Sequence, residues 1–437
     1  MPTVMFTAPT QSTTINFGRA VQLAWSSTNA TSCSASSSGN GTSVFSGNQP
    51  VSGSLSVAPT APGNVSFTLT CMGTGGSASA MVSVTVAPSI LTTLSVTGIT
   101  TIGSTVDPVA ADYNPYGLTI APATAGLITK GDLIVCNFNA GMQTEEGTGT
   151  TVVGLHPTAG AMPYRIAASA NLQGCNALAM LPDDSISAAA YMSNENPLVT
   201  AAGVVNTPFA TDGFGAPWGE AYASANGTNP AALYVSNVDG SIDRIALNGD
   251  AQTAFTRIAT GFCTSGMPGA IYAPSGLTYD ASIDTLYIVD TSSNSVVAFA
   301  NVSSIGAAGI VVNGQCSTVM APPTPAPTFS GPSAASARVI ATGGALFTPL
   351  SAALLSDGDL IVANADINIG SQTPNQVFEI SPVLPGGFVG APVQLDSGAP
   401  GALFGIAATV DSQNHQVVYF NDDNANAVMM ITVGAQP

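Results

Sequence analysis

The chain of 437 residues carries 6 Lys and Arg against 24 Asp and Glu, a formal net charge of −18, with 7% charged and 45% hydrophobic residues. That apolar content excludes general disorder, and the length implies two or three domains. Six scattered cations cannot form a phosphate-neutralising track or a basic membrane patch, so no nucleic-acid partner and no anionic-membrane partner is expected.

No uninterrupted apolar stretch reaches the roughly 18 residues of a membrane helix, so no membrane insertion is expected. The start, MPTVMFTAPT, lacks the cationic and apolar regions of a signal peptide. The expected setting is secreted, extracellular or cell-surface, with the sequence being the mature chain after signal removal.

Residues 1–87 read as short alternating strands. Val21, Leu23 and Trp25 alternate with polar partners, as do Val65, Phe67, Leu69 and Cys71, and then Val82, Val84 and Val86. Period-two runs separated by Gly, Ser, Asn and Pro turns describe a half-buried antiparallel β-sandwich. The segments VQLAWSSTNATSCSAS, SFTLTCMGTGGSAS and MVSVTV resemble a bacterial immunoglobulin-like domain, although Trp25 precedes Cys33 instead of lying between the two cysteines. Before the first clear strand stand Val4, Met5 and Phe6, costly to leave in water. They are a candidate self-association element that adds to a neighbouring copy, or else the sandwich's own first strand.

The six cysteines are Cys33, Cys71, Cys136, Cys175, Cys263 and Cys316, with no CxxC pair and no zinc-finger spacing. An even count at wide spacing reads as three disulfides in an oxidising compartment, paired in sequence order, although six cysteines allow 15 pairings. A Cys33–Cys71 bond is expected to close the sandwich.

Residues 88–93 read as a linker, after which the texture changes. An apolar strand ending in Asn or Asp recurs as LIVCN at 133–137, AYMSN at 190–194, LYVSN at 233–237, LYIVD at 286–290, LIVAN at 360–364 and VYFND at 418–422. Each is followed by a polar turn and a second strand. Intervals of 57, 43, 53, 74 and 57 residues match a blade-sized repeat, so residues 94–437 are predicted to form a six-bladed β-propeller. The long interval contains a Pro/Ala/Ser-rich insertion at 321–337, expected to be a surface loop. The last repeat stops after one strand, so the ring is expected to close by pairing LTTLSVTGI at 91–99 with AVMMITVGAQP.

Start signals NPYGL, APWGE, APSGL and LFGIA precede several repeats. Together with NPYGLTIAP, GDLIVCNFN, GTGTTVVGLHP and LYIVDTSSNSVVAF, they resemble the secreted NHL-type propellers of bacteria. That resemblance implies the fold and carries no catalytic residue.

The repeated terminal Asn and Asp read as turn caps rather than ligands. NVDGSID at 237–243 lacks the spacing and distal Glu of a calcium loop. His156 and His415, the two histidines, neighbour no nucleophile motif. The blade-start positions Tyr116, Asn176, Trp218, Ser275, Leu350 and Phe404, with Glu220 nearby, are the candidate channel-mouth contacts. Lactonase-type propellers gather carboxylates, Asn and His there around calcium. This ring is mostly apolar, which suits hydrophobic or carbohydrate-stacking contact, or a plain aromatic plug.

The resulting expectation is an all-β chain, an immunoglobulin-like β-sandwich followed by a six-bladed β-propeller. It is expected to be a non-enzymatic structural or interaction protein without metal or cofactor, partnered by copies of itself or by surface and matrix components, and possibly filamentous. The alternatives are a propeller hydrolase of lactonase or lyase type, favoured by a tightly bound calcium or a carboxylate cluster at the channel mouth, and a soluble binder of a glycan or small ligand, favoured by a deep pocket ringed by Tyr116, Trp218 and Phe404.

Overall fold

The computed structural model describes all residues except 40–43, 95–97, 142–144, 210–212, 228, 265–271, 315–324, 345, 365–372, 385 and 433–437. Regular structure among the described residues is almost entirely β. The chain divides into two compact units, Met1–Thr93 with Ser381–Ala391, and Leu94–Ile380 with Pro392–Pro437.

In the first unit a three-stranded sheet orders Thr3–Ala8, Val21–Thr28 and Gly53–Val57. A five-stranded sheet orders Thr13–Asn16, Gly76–Ala87, Gly63–Gly73, Ser32–Gly39 and Gly47–Gln49. Alternation puts Val65, Phe67, Leu69 and Cys71 inward at 0% exposure, where they share one core with Leu23, Trp25 and Phe45. Trp25 packs edge-on to Phe45 at 5.5 Å between ring centres.

The Cys33–Cys71 disulfide is present, but it does not close the sandwich across its two sheets. The two cysteines sit directly opposite each other on neighbouring strands of the five-stranded sheet, 4.0 Å apart at Cα. Val4, Met5 and Phe6 lie in Thr3–Ala8, an edge strand paired antiparallel with Val21–Thr28. Phe6 is buried in the unit's own core against Phe45, whereas Met5 stays exposed.

The second unit is a β-propeller. Blade 1 runs Tyr113–Ile120, Leu133–Asn139, Thr151–Leu155 and Tyr164–Ala168, and blade 2 Cys175–Met180, Ile186–Ala190, Leu198–Val199 and Val205–Asn206. Blade 3 has Pro217–Ala223, Ala231–Asn237, Ile242–Asn248 and Ala251–Thr260. Blade 4 has Pro274–Asp280, Thr285–Asp290, Ser295–Ala300 and Ala337–Thr342. Blade 5 has Pro349–Leu354, Leu360–Asn364 and Gln376–Ile380. Blade 6 takes Ile406–Val410, Gln416–Asp422 and Ala427–Thr432 from the C-terminal part and Thr100–Ser104 from the start of the unit.

Ring closure therefore mixes the chain ends, at a different strand from the one expected. Ile90–Thr93 is helical, and the closing partner is Thr100–Ser104, with Ala427 opposite Ser104 and Met430 opposite Thr100. Ile102 of that strand is fully buried with Val428, Leu133 and Val153 between blades 6 and 1. AYMSN also departs from expectation. The strand ends at Ala190, and Tyr191 to Asn194 form the turn. Within 321–337, Thr328–Ser330 is a strand that pairs with Ile310–Asn313 and extends blade 3 outward.

Cys136 and Cys175 are joined, linking the second strand of blade 1 to the first strand of blade 2. Cys263 is disulfide-bonded as well, and Cys316 lies outside the described residues.

The small residues of the start signals have a steric cause. A Cβ on Gly219 would lie 1.7 Å from Ser275 O on the next blade, and one on Gly405 would lie 2.5 Å from Tyr116 O. Gly276 meets Leu350 O in the same way, and Gly117 meets Ala177. First strands of successive blades thus touch backbone to backbone, which leaves no room for a side chain at the seam.

Two outcomes are expected. Gly219→Ala should lower unfolding stability by about 1–3 kcal/mol through overpacking, read from chemical denaturation. Non-reducing peptide mapping should recover the 33–71 and 136–175 crosslinks. Removing either should cost about 4 kcal/mol in the chain-entropy model for loops of 38 and 39 residues.

Candidate functional site

The first strands of the six blades adjoin in order around a central channel. Its cavity of about 410 Å³ is lined by residues from every blade. Because the strand alternates, each blade sends some side chains into the channel and others into the seams. Of the lining residues, Leu118, Leu178, Met180 and Leu277 are buried in the clusters that fill the seams between blades.

At the end where the first strands begin, the candidate contacts Tyr116, Trp218 and Phe404 come together. Tyr116 stacks on Phe404 at 3.7 Å and on Phe138 at 4.1 Å, and Trp218 packs edge-on to Tyr116 and Phe138. Tyr191, brought in by the early end of its strand, packs edge-on to Trp218. Tyr116 and Trp218 are buried, so these rings form a packed cluster, with Tyr116 and Phe404 also touching the cavity.

The other candidates are placed as follows. Asn176 lines the cavity, and its amide nitrogen donates to Trp218 O on the next blade, while its Oδ1 has no partner. Ser275 is buried, donating to Ala273 O at 3.0 Å and sharing a hydrogen bond with Thr291. Leu350 is buried as well. Tyr116, Asn176, Glu220 and Phe404 reach the cavity wall, whereas Trp218, Ser275 and Leu350 do not.

Glu220 is the chemically distinctive residue. It is 6% exposed and lines the cavity. Its Oε1 accepts from Ser187 Oγ and from Asn196 Nδ2, the latter at 3.0 Å, both on blade 2. Its Oε2 has no partner among the described residues. Burial pushes the carboxyl up from 4.5 to about 7, against the lowering effect of Ser187, Asn196 and the Ala189 amide. The group thus holds both protonation states near neutral pH.

Other carboxyls are raised as well, Asp290 and Asp423 among them. Asp290 rises to about 6 through burial, opposed by Ser293 and the Ser292 amide, and Asp423 rises to about 7 through burial and then repulsion from Glu146. Of the repeated terminal residues, Asp290 caps its own turn by accepting from Ser292 N, whereas Asn364 and Asn237 accept from Phe347 N and Gly215 N, 17 and 22 residues away, and so are not the turn caps expected. Asn421 reaches further and donates to Tyr116 O across the seam. His156 leaves the strand and pairs through Nδ1 with buried Asp132 at 2.6 Å, and His415 pairs with Asp411.

Calcium prefers six to eight oxygen ligands rich in carboxylate. Among the described cavity-lining residues Glu220 is the only carboxylate, so the channel does not fit a lactonase-type calcium and no step is derived through one. Asp357, Asp359 and Glu379 of blade 5 bring ligand atoms within 4.8 Å of one another, and none of them lines the channel.

No protein-family model matches the chain, and no curated protein matches it. Solved structures similar to it include virginiamycin B lyase from Staphylococcus aureus, at 14% identity and TM-score 0.40, covering 74% of this chain and 96% of that one. A gluconolactonase from Xanthomonas campestris is 14% identical with TM-score 0.46, covering 74% and 87%. The WD40 repeats of RRP9 are 11% identical with TM-score 0.43, covering 77% and 97%. These are propellers, as is the second unit here. The expectation of a non-enzymatic structural or filament protein is corrected by this finding, since the similar structures include a lyase and a gluconolactonase.

Burial of Glu220 sets a pH dependence with a definite sign. Below pH 4.5 the carboxyl is protonated in folded and unfolded chains alike. Between 4.5 and about 7 only the unfolded chain ionises, so stability falls by about 3 kcal/mol as pH rises through this window. Denaturant titrations at pH 4.5 and 8 should show this slope reduced by that amount in Glu220→Gln.

Proposed function

We propose that the chain is a propeller enzyme of lyase or hydrolase type. Its central channel takes up a small, largely apolar molecule, and Glu220 carries the proton transfer. The observation that supports this reading is the Glu220 carboxyl: buried in a cavity-lining residue, held through one oxygen, buried without a partner at the other, and raised to about 7. A general base works best with a pKa near the operating pH, and the same group acts as acid once protonated.

Ser187 and Asn196 hold the carboxyl by Oε1, which leaves Oε2 to take a proton from the substrate. Presence of a single titratable carboxyl in the cavity favours a second reading, a binding protein without turnover.

The first unit we read as an immunoglobulin-like module. In support, its first strand pairs antiparallel in one sheet while its second pairs parallel with the last strand, Gly76–Ala87, in the other. An NHL-type propeller and an oxidising, extracellular setting complete the reading. The two described disulfides support that setting.

The test is a panel of chromogenic esters, lactones and substrates with an eliminable leaving group, assayed with the wild type and Glu220→Gln. Glu220→Gln should lower kcat/KM by about 10²-fold or more, and the wild-type rate profile should show a limb near pH 7. Equal activity of the two proteins would overturn the catalytic assignment. Binding without turnover would favour the second reading.

A further inference from the structure

We propose that the channel is a funnel, closed at its aromatic end and entered where the first strands finish, so that a ligand passes Tyr222 and Tyr279 on its way to the level of Glu220. This rests on the reading of the channel as a ligand site, and it makes Tyr222 a residue that sets the size of what enters.

The seam residues Gly117, Ala177, Gly219, Gly276, Ser351 and Gly405 bring the six first strands into register, so equivalent positions can be compared around the ring. One position before the seam stand the blade-start residues, and all of them except Phe404 are buried. Four positions further along the strands come Ile120, Met180, Tyr222, Tyr279, Leu354 and Ala408, of which Met180 alone is buried. Pro122, beyond Ile120, lines the cavity and is exposed. Access to solvent therefore grows along the strand direction in nearly every blade.

At the other end the rings pack in contact. Tyr116 stacks on Phe138 at 4.1 Å and on Phe404 at 3.7 Å, while Trp218 meets Tyr116, Phe138 and Tyr191 edge-on. Ala273, fully buried, joins this cluster from the segment leading into blade 4. Rings stacked at such separations are in van der Waals contact and leave no passage for water between them. Among the described residues, the end where the strands begin is filled by side chains.

Glu220 follows the seam residue of blade 3, and Tyr222 lies two residues on, about 7 Å nearer the strand end. Tyr279, its counterpart on blade 4, is pinned by a hydrogen bond from its hydroxyl to Asp284 at 3.1 Å. Both tyrosines line the cavity and stay partly exposed. They stand on neighbouring blades, so an incoming molecule meets the two rings before the carboxyl.

Access can be read without any ligand, by cysteine modification of the full chain. Ala352→Cys places a thiol on the cavity wall one position past the seam of blade 5, at the level of Glu220. Its modification by 2-(trimethylammonium)ethyl methanethiosulfonate is followed by mass, with the wild-type chain as background. Ala408→Trp at the mouth should slow the reaction at least tenfold, whereas Phe404→Trp, which thickens the closed end, should leave it within twofold. Ile120→Trp repeats the block from blade 1 should Ala408→Trp not fold, as judged by its denaturant midpoint. Tyr222→Ala should speed a bulkier, biotin-bearing methanethiosulfonate about tenfold and the small reagent less than twofold. Equal effects on the two reagents overturn the role of Tyr222. Slowing by Phe404→Trp as great as that by the mouth variants, or no slowing by any of them, overturns the funnel while the channel stands. A thiol at position 352 that is never modified removes the channel reading, and the inference with it.

Discussion

The propeller depends on one contact, the backbone-to-backbone approach of each blade's first strand to the next. Gly117, Gly219, Gly276 and Gly405 sit at these seams, with Ala177 and Ser351 in the corresponding places of blades 2 and 5. Small residues there set the circumference of the inner ring, and the circumference sets the channel's width. Tyr116 and Phe404, each immediately before a seam glycine, stack at 3.7 Å. Glu220, immediately after Gly219, is carried to the cavity wall by the same geometry. The site is a by-product of how the ring is packed.

A second constraint is the shortage of charge. With 6 cations in 437 residues, few carboxylates can be paired, and the pairs that exist are structural. Arg165 holds buried Asp107, whose carboxyl stays low despite its burial because the guanidinium and the Ala110 and Val109 amides bond it. Asp243 has Arg257 beside it and is nevertheless pushed up, since burial outweighs the pair. Glu220 has no cation at all, only a hydroxyl and an amide. That difference separates a carboxylate held in an ion pair from one held by neutral donors alone.

Much of this was legible in the sequence, and the reasons for what was not are physical. Strands buried on both faces, such as Thr285–Asp290 and Leu133–Asn139, read as unbroken apolar runs ending in Asn or Asp, so their number and spacing exposed the blades. Outer strands such as Leu198–Val199 are too short to have a period. Thr100–Ser104 carries only one large apolar side chain, Ile102, and the more apolar 91–99 drew the eye instead. Glu220 was visible beside Trp218, but a lone carboxylate in an apolar ring reads as incidental. Its meaning lies in Ser187 and Asn196, which are 33 and 24 residues away and belong to another blade. No local pattern links those three positions. The Cys33–Cys71 bond was anticipated as a pair and not as a crosslink within one sheet, because strand order is a long-range property.

The two ways in which the ring is joined give the propeller a weak side and a strong one. Blade 6 is completed where Ala427–Thr432 runs antiparallel to Thr100–Ser104, and the chain enters and leaves this ladder at the same end. Tension applied to those two chain segments would therefore peel the ladder rung by rung, from Met430 and Thr100 toward Ala427 and Ser104, instead of loading all its hydrogen bonds at once. Blades 1 and 2, by contrast, are sewn together through Cys136 and Cys175. Mechanical opening would start at blade 6 and run backward along the chain. The stitched pair, which blade unravelling reaches last in chain order, would be the last part of the ring to come apart.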